Sequence, residues 1–248
     1  MSQNVFGREA IAQALRREVV FFDAIASTNS EAMRLGNLGA GHGTLVVADA
    51  QVGGKGRLGR SWQSPAGLNL YFSLVMRPEV GLDRVALLGL ACAVGIAEAT
   101  DLQIKWPNDL LDRNRRKVAG ILSELECEGG AVGHVVLGVG LNVNQVEFPE
   151  DLPNAASLCG TQGSLDRVRV LSDVVGSIEQ WCHHVEDDPG RVLEQWRVRW
   201  ADRGREMRVG ERVGKAVDVR EDGALLLQTQ EGIEPVLSGD VLPTRGGP

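Results

Sequence analysis

The segment Gly53–Arg60, Gly-Gly-Lys-Gly-Arg-Leu-Gly-Arg, interleaves glycines with three cations. Glycine lets the backbone approach a ligand closely, and ammonium and guanidinium groups supply charge and hydrogen bonds for an anion. Thr44–Gln51 before this segment and Leu68–Val75 after it are typical of strands, while Ser64–Gly67 excludes a helix between them. The sequence therefore predicts a long basic loop that joins two strands of a sheet and binds an anionic group.

Two common phosphate-binding motifs do not explain this loop. Gly54, Gly56 and Gly59 have the spacing of a dinucleotide-binding fingerprint, but that fingerprint must open into a helix, and here a strand follows. A Walker loop is excluded because Gly54-Lys55 is followed by glycine and not by Ser or Thr. On composition alone, a solvated loop without a ligand remains the alternative.

The composition is that of an ordinary globular protein, with 248 residues, 43% of them hydrophobic and 24% charged. A formal net charge of −7 argues against general affinity for nucleic acid, so the loop cations indicate a local site for a small anion. The most apolar run, Val85–Ala97, is shorter than the roughly 20 residues that cross a bilayer. We therefore expect no signal peptide, no membrane span and no DNA partner.

Cysteine and histidine spacing argues against a metal centre. The four cysteines lie far apart and form no Cys-x-x-Cys pair, which is typical of reduced thiols in a cytoplasmic protein. Adjacent His183 and His184 would point about 100° apart on a helix, so they cannot share a metal ion. The sequence predicts a cytoplasmic location.

Hydrophobic periodicity predicts the remaining elements of the main domain. The predicted helices are Gly7–Arg16, one beginning at Ser27–Ala32, a buried one at Asp83–Ala99, Leu165–His184 and Gly190–Ala201. The predicted strands are Val19–Phe22, Leu68–Met76, Leu102–Trp106, and a hairpin of Lys117–Glu126 and His134–Asn144 about Gly129-Gly130. Leu68–Met76 alternates, so one face should pack while the other could line a site. Because strands and helices interleave without regular β-α-β alternation, we predict an α+β fold with a mixed sheet.

The chain changes character after residue 202. Short β segments at Arg208–Val219, Ala224–Thr229 and Glu234–Leu237 are separated by glycine-containing turns. We predict a main domain over residues 1–202 and a small β-barrel domain over residues 203–248. The segment Gly210–Gly214 looks short, so this barrel could lack a strand pair.

Three further motifs are ambiguous when each is taken alone. Lys105-Trp-Pro-Asn-Asp109 is explained by a turn after a strand, and Lys117-Val-Ala-Gly-Ile-Leu122 by a solvated lysine at a strand start. In Gly138-Val-Gly-Leu-Asn142, two glycines weaken an apolar strand unless another group packs against them, although a β-bulge would also account for them. Thr28 and Glu31 have capping-box spacing, so helix capping competes with ligand binding there.

Taken together and preceded by Ser27-Thr28-Asn29, these motifs resemble the biotin protein ligases. The resemblance is dense over residues 20–145, weak in the two later helices, and moderate at Asp222–Leu227 and Gly239–Val241. It implies a catalytic domain similar to class II aminoacyl-tRNA synthetases, followed by an SH3-like β-barrel. It also implies that ATP and Mg²⁺ activate biotin to biotinyl-5′-AMP, from which biotin passes to a lysine of a carrier domain.

The resemblance assigns expected roles to individual side chains. Catalytic roles are implied for Lys117 and Arg57. Biotin binding is implied for Ser27, Thr28, Asn29, Gln51, Lys55, Gly56, Arg57 and Lys117, and ATP binding for Arg57, Arg60, Trp62, Lys105, Asn108 and Asn142. Asp109 is expected near the phosphates and Mg²⁺. Lys55 departs from the family pattern, which more often has Arg there, and loses a bidentate fork while keeping the charge.

The resemblance also implies partners. The carrier is expected to be the biotin carboxyl carrier protein or domain of acetyl-CoA or pyruvate carboxylase. Exposed sheet edges beside the predicted hairpin allow a homodimer, and we expect a ligase without the DNA-binding domain of the repressor branch. Two other functions are compatible with the pattern: a lipoate ligase of the same superfamily, and a non-catalytic biotin sensor.

Overall fold

The computed structural model describes residues 6–160, 163–237, 239 and 241–243. Asp240 and the two ends of the chain, which belong to the predicted domains, lie outside the described residues. The helices are α1 Arg8–Leu15, α2 Thr28–Asn37, α3 Leu87–Thr100, α4 Arg167–Asp187 and α5 Pro189–Val198. The strands are β1 Val20–Ile25, β2 Thr44–Gln51, β3 Leu70–Met76, β4 Gln103–Lys105, β5 Asp109–Leu111, β6 Lys117–Glu128, β7 Ala131–Leu141, β8 Glu206–Val209, β9 Arg212–Val219, β10 Leu225–Gln228, β11 Ile233–Val236 and β12 Val241–Pro243.

The main sheet has seven strands in the order β1-β2-β3-β7-β6-β5-β4. β1 and β2 are parallel because α2 crosses between them, whereas the other pairs are antiparallel. β6 and β7 form the predicted hairpin, and Gly129 and Gly130 turn the chain with φ of 59° and 84°. The predicted α+β class with a mixed sheet is confirmed.

Helix α3 forms the centre of the hydrophobic core, as its nearly continuous apolar sequence predicts. It lies between the sheet and α4. A Cβ added at Gly95 would lie 2.6 Å from the Cα of Ile178, so glycine permits the two helices to approach closely. The opposite face of the sheet is covered by α2, whose Ala32 packs on Val46 and Val75.

Two local predictions are wrong. Both faces of β3 are buried, not one, because α2 covers the side that was expected to be open. The capping box does not form: Ser27 is the N-cap of α2, without a side-chain cap hydrogen bond, and Glu31 pairs with Arg34 at 2.6 Å. The predicted turn after β4 is present at residues 106–108, and Asp109 begins the short strand β5 directly after it.

The C-terminal segment forms a second sheet of five antiparallel strands in the order β11-β10-β9-β8-β12. β8 and β9 pair across Gly210, so the short turn there does not remove a strand pair. Among the described residues no pairing joins β11 to β12, and closure into a barrel stays a prediction.

Two of the composition-based expectations can be compared with the structure. All four cysteines are free thiols. Within the part of the chain that the structure describes, no helix combines the length and the apolar character needed to cross a membrane.

Candidate active site

A single cavity of about 410 Å³ brings the predicted site residues together. It lies over the β6 and β7 ends of the main sheet, between the glycine loop and the connection from β4 to β5. The predicted residues that line it are Ser27, Thr28, Asn29, Gln51, Lys55, Gly56, Arg57, Arg60, Trp62, Lys105, Asn108, Asp109, Lys117 and Asn142. Their proximity is a finding; their individual roles stay predictions.

One end of the cavity is a buried hydrogen-bond network. The backbone N–H of Thr28 donates to Gln51 Oε1 over 2.8 Å, and Gln51 Nε2 donates to Ser64 Oγ over 3.0 Å. Asn29 Nδ2 donates to the carbonyl of Leu122, and the hydroxyl of Ser73 lies 2.6 Å from Asn29 Oδ1. Thr28 and Asn29 are each 4% exposed, so this end is rigid and largely withdrawn from water.

Ser27 also lies at this buried end. It is 3% exposed and its hydroxyl makes no cap hydrogen bond to α2. Plain helix capping therefore does not account for its side chain.

Gly138 explains how Asn29 reaches the sheet. A Cβ on Gly138 would lie 1.8 Å from Asn29 Oδ1, far inside van der Waals contact. No β-bulge occurs at this point of β7, because the register between β6 and β7 shifts only near Glu126 and Cys127. Close packing, and not a bulge, accounts for the glycine.

The glycine loop is an exposed hairpin-like turn. Lys55 and Ser61 form an isolated antiparallel bridge, and a 3₁₀ turn covers Arg57–Gly59. The guanidinium of Arg57 donates to Asn108 Oδ1 over 3.2 Å, which connects the loop to the segment before β5. A Cβ on Gly54 would lie 2.4 Å from the carbonyl oxygen of Trp62, so glycine is needed where the loop folds back on itself.

The Trp62 ring packs closely against two glycines of the sheet. Cβ atoms at Gly120 and Gly140 would lie 3.0 Å and 2.3 Å from its ring. The ammonium group of Lys117 is 5.3 Å from the centre of the same ring and 2.6 Å from Asp109 Oδ1. Lys117 therefore lies at the start of β6 beside Trp62, with its charge held by an aromatic ring and a carboxylate.

Asn108 and Asn142 donate hydrogen bonds to main-chain carbonyls at the other end of the cavity. Asn108 Nδ2 donates to the carbonyl of Ile121 over 2.9 Å, and Asn142 Nδ2 donates to the carbonyl of Ala156 over 3.0 Å. The second bond attaches the segment after β7 to the cavity wall. Lys105, at the end of β4, adds a cation to the same end.

The C-terminal sheet contributes to this end as well. Gly239 and Val241 line the cavity, and the indole Nε1 of Trp106 donates to the carbonyl of Gly223 over 3.1 Å. The turn before β10 therefore packs beside the Lys105–Asp109 motif. No local sequence pattern indicates this contact, because the two residues are 117 positions apart.

Among the described residues, the side chains that line the cavity do not form a preformed metal centre. Within the described residues no cluster of three or more His, Cys, Asp or Glu side chains could hold a metal ion. Asp109 is the carboxylate that lines the cavity. Mg²⁺ in nucleotide sites commonly takes one or two carboxylates and completes its shell with phosphate oxygens and water, and Asp109 fits that pattern.

Sequence reasoning missed Ser73 and Glu124. Ser73 is fully buried beneath Thr28 and Asn29, and Glu124 Oε2 accepts from Asn29 Nδ2 over 2.8 Å. The only available signal was the position of Ser73 on the polar face of an alternating strand. Glu124 resembled an ordinary exposed strand residue.

Comparisons with known proteins agree with this geometry. Residues 21–142 match the Biotin/lipoate A/B protein ligase family, and residues 206–242 match the Biotin protein ligase C terminal domain. The Bifunctional ligase/repressor BirA of Bacillus subtilis is 36% identical over 92% of this chain and 75% of its own length. The Biotin--[acetyl-CoA-carboxylase] ligase of Mycobacterium tuberculosis is 31% identical over 88% of this chain and 86% of its own.

A solved structure is similar to this chain over most of its length. Biotin protein ligase from Aquifex aeolicus, in complex with biotin and ATP, superposes with a TM-score of 0.72 and 33% identity, covering 90% of this chain and 97% of that one. Because both domain families, relatives that are 36% and 31% identical over most of this chain, and a solved structure all match, this chain belongs to the biotin protein ligase family.

Proposed function

We propose that this protein is an ATP-dependent biotin ligase that activates biotin as biotinyl-5′-AMP and transfers it to a lysine of a carrier domain. The observation that carries the proposal is one cavity that brings Lys117 together with a buried hydrogen-bond network and the cations of the glycine loop. Residues 1–202 hold the reaction centre in this scheme. Residues 203–248 close its nucleotide end.

In the first step the biotin carboxylate attacks the α-phosphate of ATP, an acyl–phosphate anhydride forms, and pyrophosphate leaves. The step brings two anions together, so it needs fixed positive charge where negative charge accumulates. Lys117 reaches the carboxylate and the α-phosphate, while Lys55, Arg57, Arg60 and Lys105 surround the phosphates. Bound Mg²⁺, held beside Asp109, would neutralise the phosphate oxygens.

The two substrates occupy opposite ends of the cavity in this scheme. Ser27, Thr28, Asn29 and Gln51 bind the ureido ring of biotin, and the backbone at Gly56 closes that pocket. Trp62 covers the adenine, while Asn108 and Asn142 fix the walls of the nucleotide site.

In the second step the amine of the carrier lysine attacks the anhydride carbonyl, an amide forms, and AMP leaves. An unperturbed lysine has a pKa near 10.4, so it must lose a proton before attack. Asp109, at the same centre, accepts that proton in our scheme. The carrier is the biotin carboxyl carrier of acetyl-CoA or pyruvate carboxylase, and a cytoplasmic enzyme would meet both ATP and this carrier.

The decisive experiment incubates the purified chain with biotin, Mg-ATP and a carrier domain, followed by intact mass of the carrier. The expected result is one added biotin, lost when ATP is omitted or when the acceptor lysine is replaced by Arg. Lipoate in place of biotin tests the nearest rival activity, since the two acids add different masses. Biotin binding by calorimetry without biotin-dependent ATP–pyrophosphate exchange would instead indicate a non-catalytic sensor.

A further inference from the structure

We propose that Asn69 is a positioning residue for ATP, because its buried amide fixes the Gln145 side chain on the cavity wall. Gln145 lines the cavity, whereas Asn69 is not among the described residues that do. Asn69 directly precedes β3 and is fully buried, so it can influence a ligand only through its neighbours. The inference rests on the proposed function, since it takes ATP as the ligand at the nucleotide end.

The main chain sets the orientation of the Asn69 amide. The backbone N–H of Val143, which can only donate, lies 3.0 Å from Asn69 Oδ1. The amide oxygen therefore faces Val143, and the amide nitrogen faces two acceptors. These are Gln145 Oε1 at 2.7 Å and the Tyr71 hydroxyl at 3.0 Å. The reverse orientation would place N–H₂ against an N–H donor, so the amide is fixed in one direction.

The Asn69 amide in turn fixes the side chain of Gln145. Gln145 Oε1 accepts from Asn69, and Gln145 Nε2 donates to the carbonyl of Glu147 over 2.9 Å. Glu147 lies two residues away on the same segment, so its carbonyl moves with Gln145 and does not attach the side chain to the sheet. That attachment is made by Asn69. Gln145 is 7% exposed, so water cannot easily replace the lost donor.

The charge of this wall indicates which part of ATP Gln145 meets. Residues 142–156 carry three acids, Glu147, Glu150 and Asp151, and no lysine or arginine. Phosphates are therefore repelled from this segment and attracted to the cations of the glycine loop. The other residues of the segment that line the cavity are neutral: Asn142, Phe148, Leu152 and Ala155. Such a wall suits the nucleoside of ATP, and Gln145 offers it a carboxamide held in one position.

The buried end of the cavity does not depend on this pair. Its hydrogen bonds are made by Thr28, Asn29 and Gln51. Within the described part of the chain, none of these bonds reaches Asn69 or Gln145. Loss of Asn69 should therefore weaken the binding of ATP and leave the binding of biotin unchanged.

The test combines Asn69→Leu and Gln145→Ala, singly and together. Leucine keeps the branched shape of asparagine and fills its site, so that water does not take the place of the amide. Val185→Ala is the matched control for a loss of buried packing, because Val185 is fully buried on α4, on the far side of α3 from the sheet. ATP KM, biotin KM and kcat come from biotin-dependent ATP–pyrophosphate exchange, with biotin Kd from calorimetry and melting temperature alongside.

We expect Asn69→Leu and Gln145→Ala each to raise ATP KM about tenfold, while kcat and biotin Kd stay near wild type. Because Asn69 acts through Gln145, the double variant should be no more impaired than the weaker of the two single variants. Val185→Ala should lower the melting temperature and leave ATP KM unchanged. If Asn69→Leu does not fold, Asn69→Asp replaces it with the same expected direction, since a carboxylate cannot donate to Gln145.

A wild-type ATP KM in either single variant overturns the inference. Effects that multiply in the double variant overturn it as well, because Asn69 would then act by a route other than Gln145. So does an equal rise of ATP KM in Val185→Ala, which would mean that lost stability alone accounts for the change. Absence of biotin-dependent exchange in the wild-type protein would instead overturn the proposed function itself.

Discussion

The two ends of the cavity are built in opposite ways. At the buried end, Thr28, Asn29 and Gln51 are held by neighbours on three strands before any ligand arrives. At the other end the cations stand on the glycine loop, where Lys55 and Arg60 are exposed. In our scheme the first arrangement would bind a small neutral ring through fixed hydrogen bonds, whereas the second would order around phosphates and exclude water.

In our scheme Lys117 acts on both substrates, so its removal should have the largest effect. Lys117→Ala removes the ammonium group that we place near both reacting anions and leaves Asp109 without its 2.6 Å partner. We expect both half-reactions to fall by about 10²–10³-fold, the loss typical of one electrostatic group at a reaction centre. ATP–pyrophosphate exchange measures the first step, and transfer from added biotinyl-AMP measures the second.

Asp109→Asn is a companion variant and not a neutral control, because it keeps the lysine but removes the carboxylate that holds Mg²⁺ and accepts the proton in our scheme. Full activity of Lys117→Ala in either assay would place that half-reaction elsewhere. The two ends would then not share a reaction centre.

Substitutions of two glycines on β7 should affect the two ends of the cavity independently. Gly138→Ala would place Cβ 1.8 Å from Asn29 Oδ1, and Gly140→Ala would place it 2.3 Å from the Trp62 ring. Overpacking costs roughly 1–3 kcal/mol, or about 5–150-fold in an equilibrium. We expect Gly138→Ala to raise biotin KM and leave ATP KM unchanged, and Gly140→Ala to do the reverse in the exchange assay.

Gly176→Ala on the exposed face of α4 is the matched control, since nothing lies within 4 Å of its Cβ position. It should be neutral or slightly stabilising, because alanine favours a helix. Equal changes of both KM values in the two β7 variants would mean that the ends are not independent.

The sequence predicted the scaffold better than it predicted the contacts around the site. Alternation and turn glycines located β2 and the β6–β7 hairpin, since those signals are local. Strand β5 was missed because three residues are too few to show a period. Ser73 and Glu124 were missed because their partner Asn29 lies 44 and 95 positions away, and no local pattern records such a contact.

The candidate residues themselves came from the coincidence of motifs. Glycines at Gly120, Gly138 and Gly140 indicated a close approach, but not by what. The structure supplies the answer: Trp62 covers two of them and Asn29 the third.

Arg57 tests whether the exposed end works as a lid. Arg57→Gly removes the contact from the loop to Asn108 and should accelerate release of biotinyl-AMP about tenfold, while slowing its synthesis less. Free adenylate in solution, measured by chromatography, checks this expectation. Loss of synthesis alone would assign Arg57 to the first transition state.

Limited proteolysis tests the same loop in the unmodified chain. We expect trypsin to cut after Lys55 or Arg57 in the empty protein and more slowly with biotin and ATP bound. Equal rates would mean that Gly53–Gly67 does not order over its ligand.

The smallest expected effect is the change in stability with pH near the buried end of the cavity. His134 on β7 packs against Gly36 of α2, and its Nε2 is buried without a hydrogen-bond partner among the described residues. Burial and, secondarily, the nearby charge of Arg77 lower the pKa of His134 below its ordinary 6.5, against the opposing effects of Glu126 and the backbone of Met33. The folded state therefore favours the neutral imidazole.

Below pH 6.5 the unfolded chain binds the His134 proton more readily than the folded chain does, so acid should destabilise the fold. This contribution to stability is complete above pH 6.5 and is lost as the pH falls through the folded-state pKa. His134→Gln removes the titrating group and should flatten the fall in melting temperature between neutral and acidic pH. Since α2 carries Thr28 and Asn29, biotin affinity should decline over the same acidic range in the wild type and less in the variant. Parallel melting curves for the two proteins would show that the rigid end does not depend on this histidine.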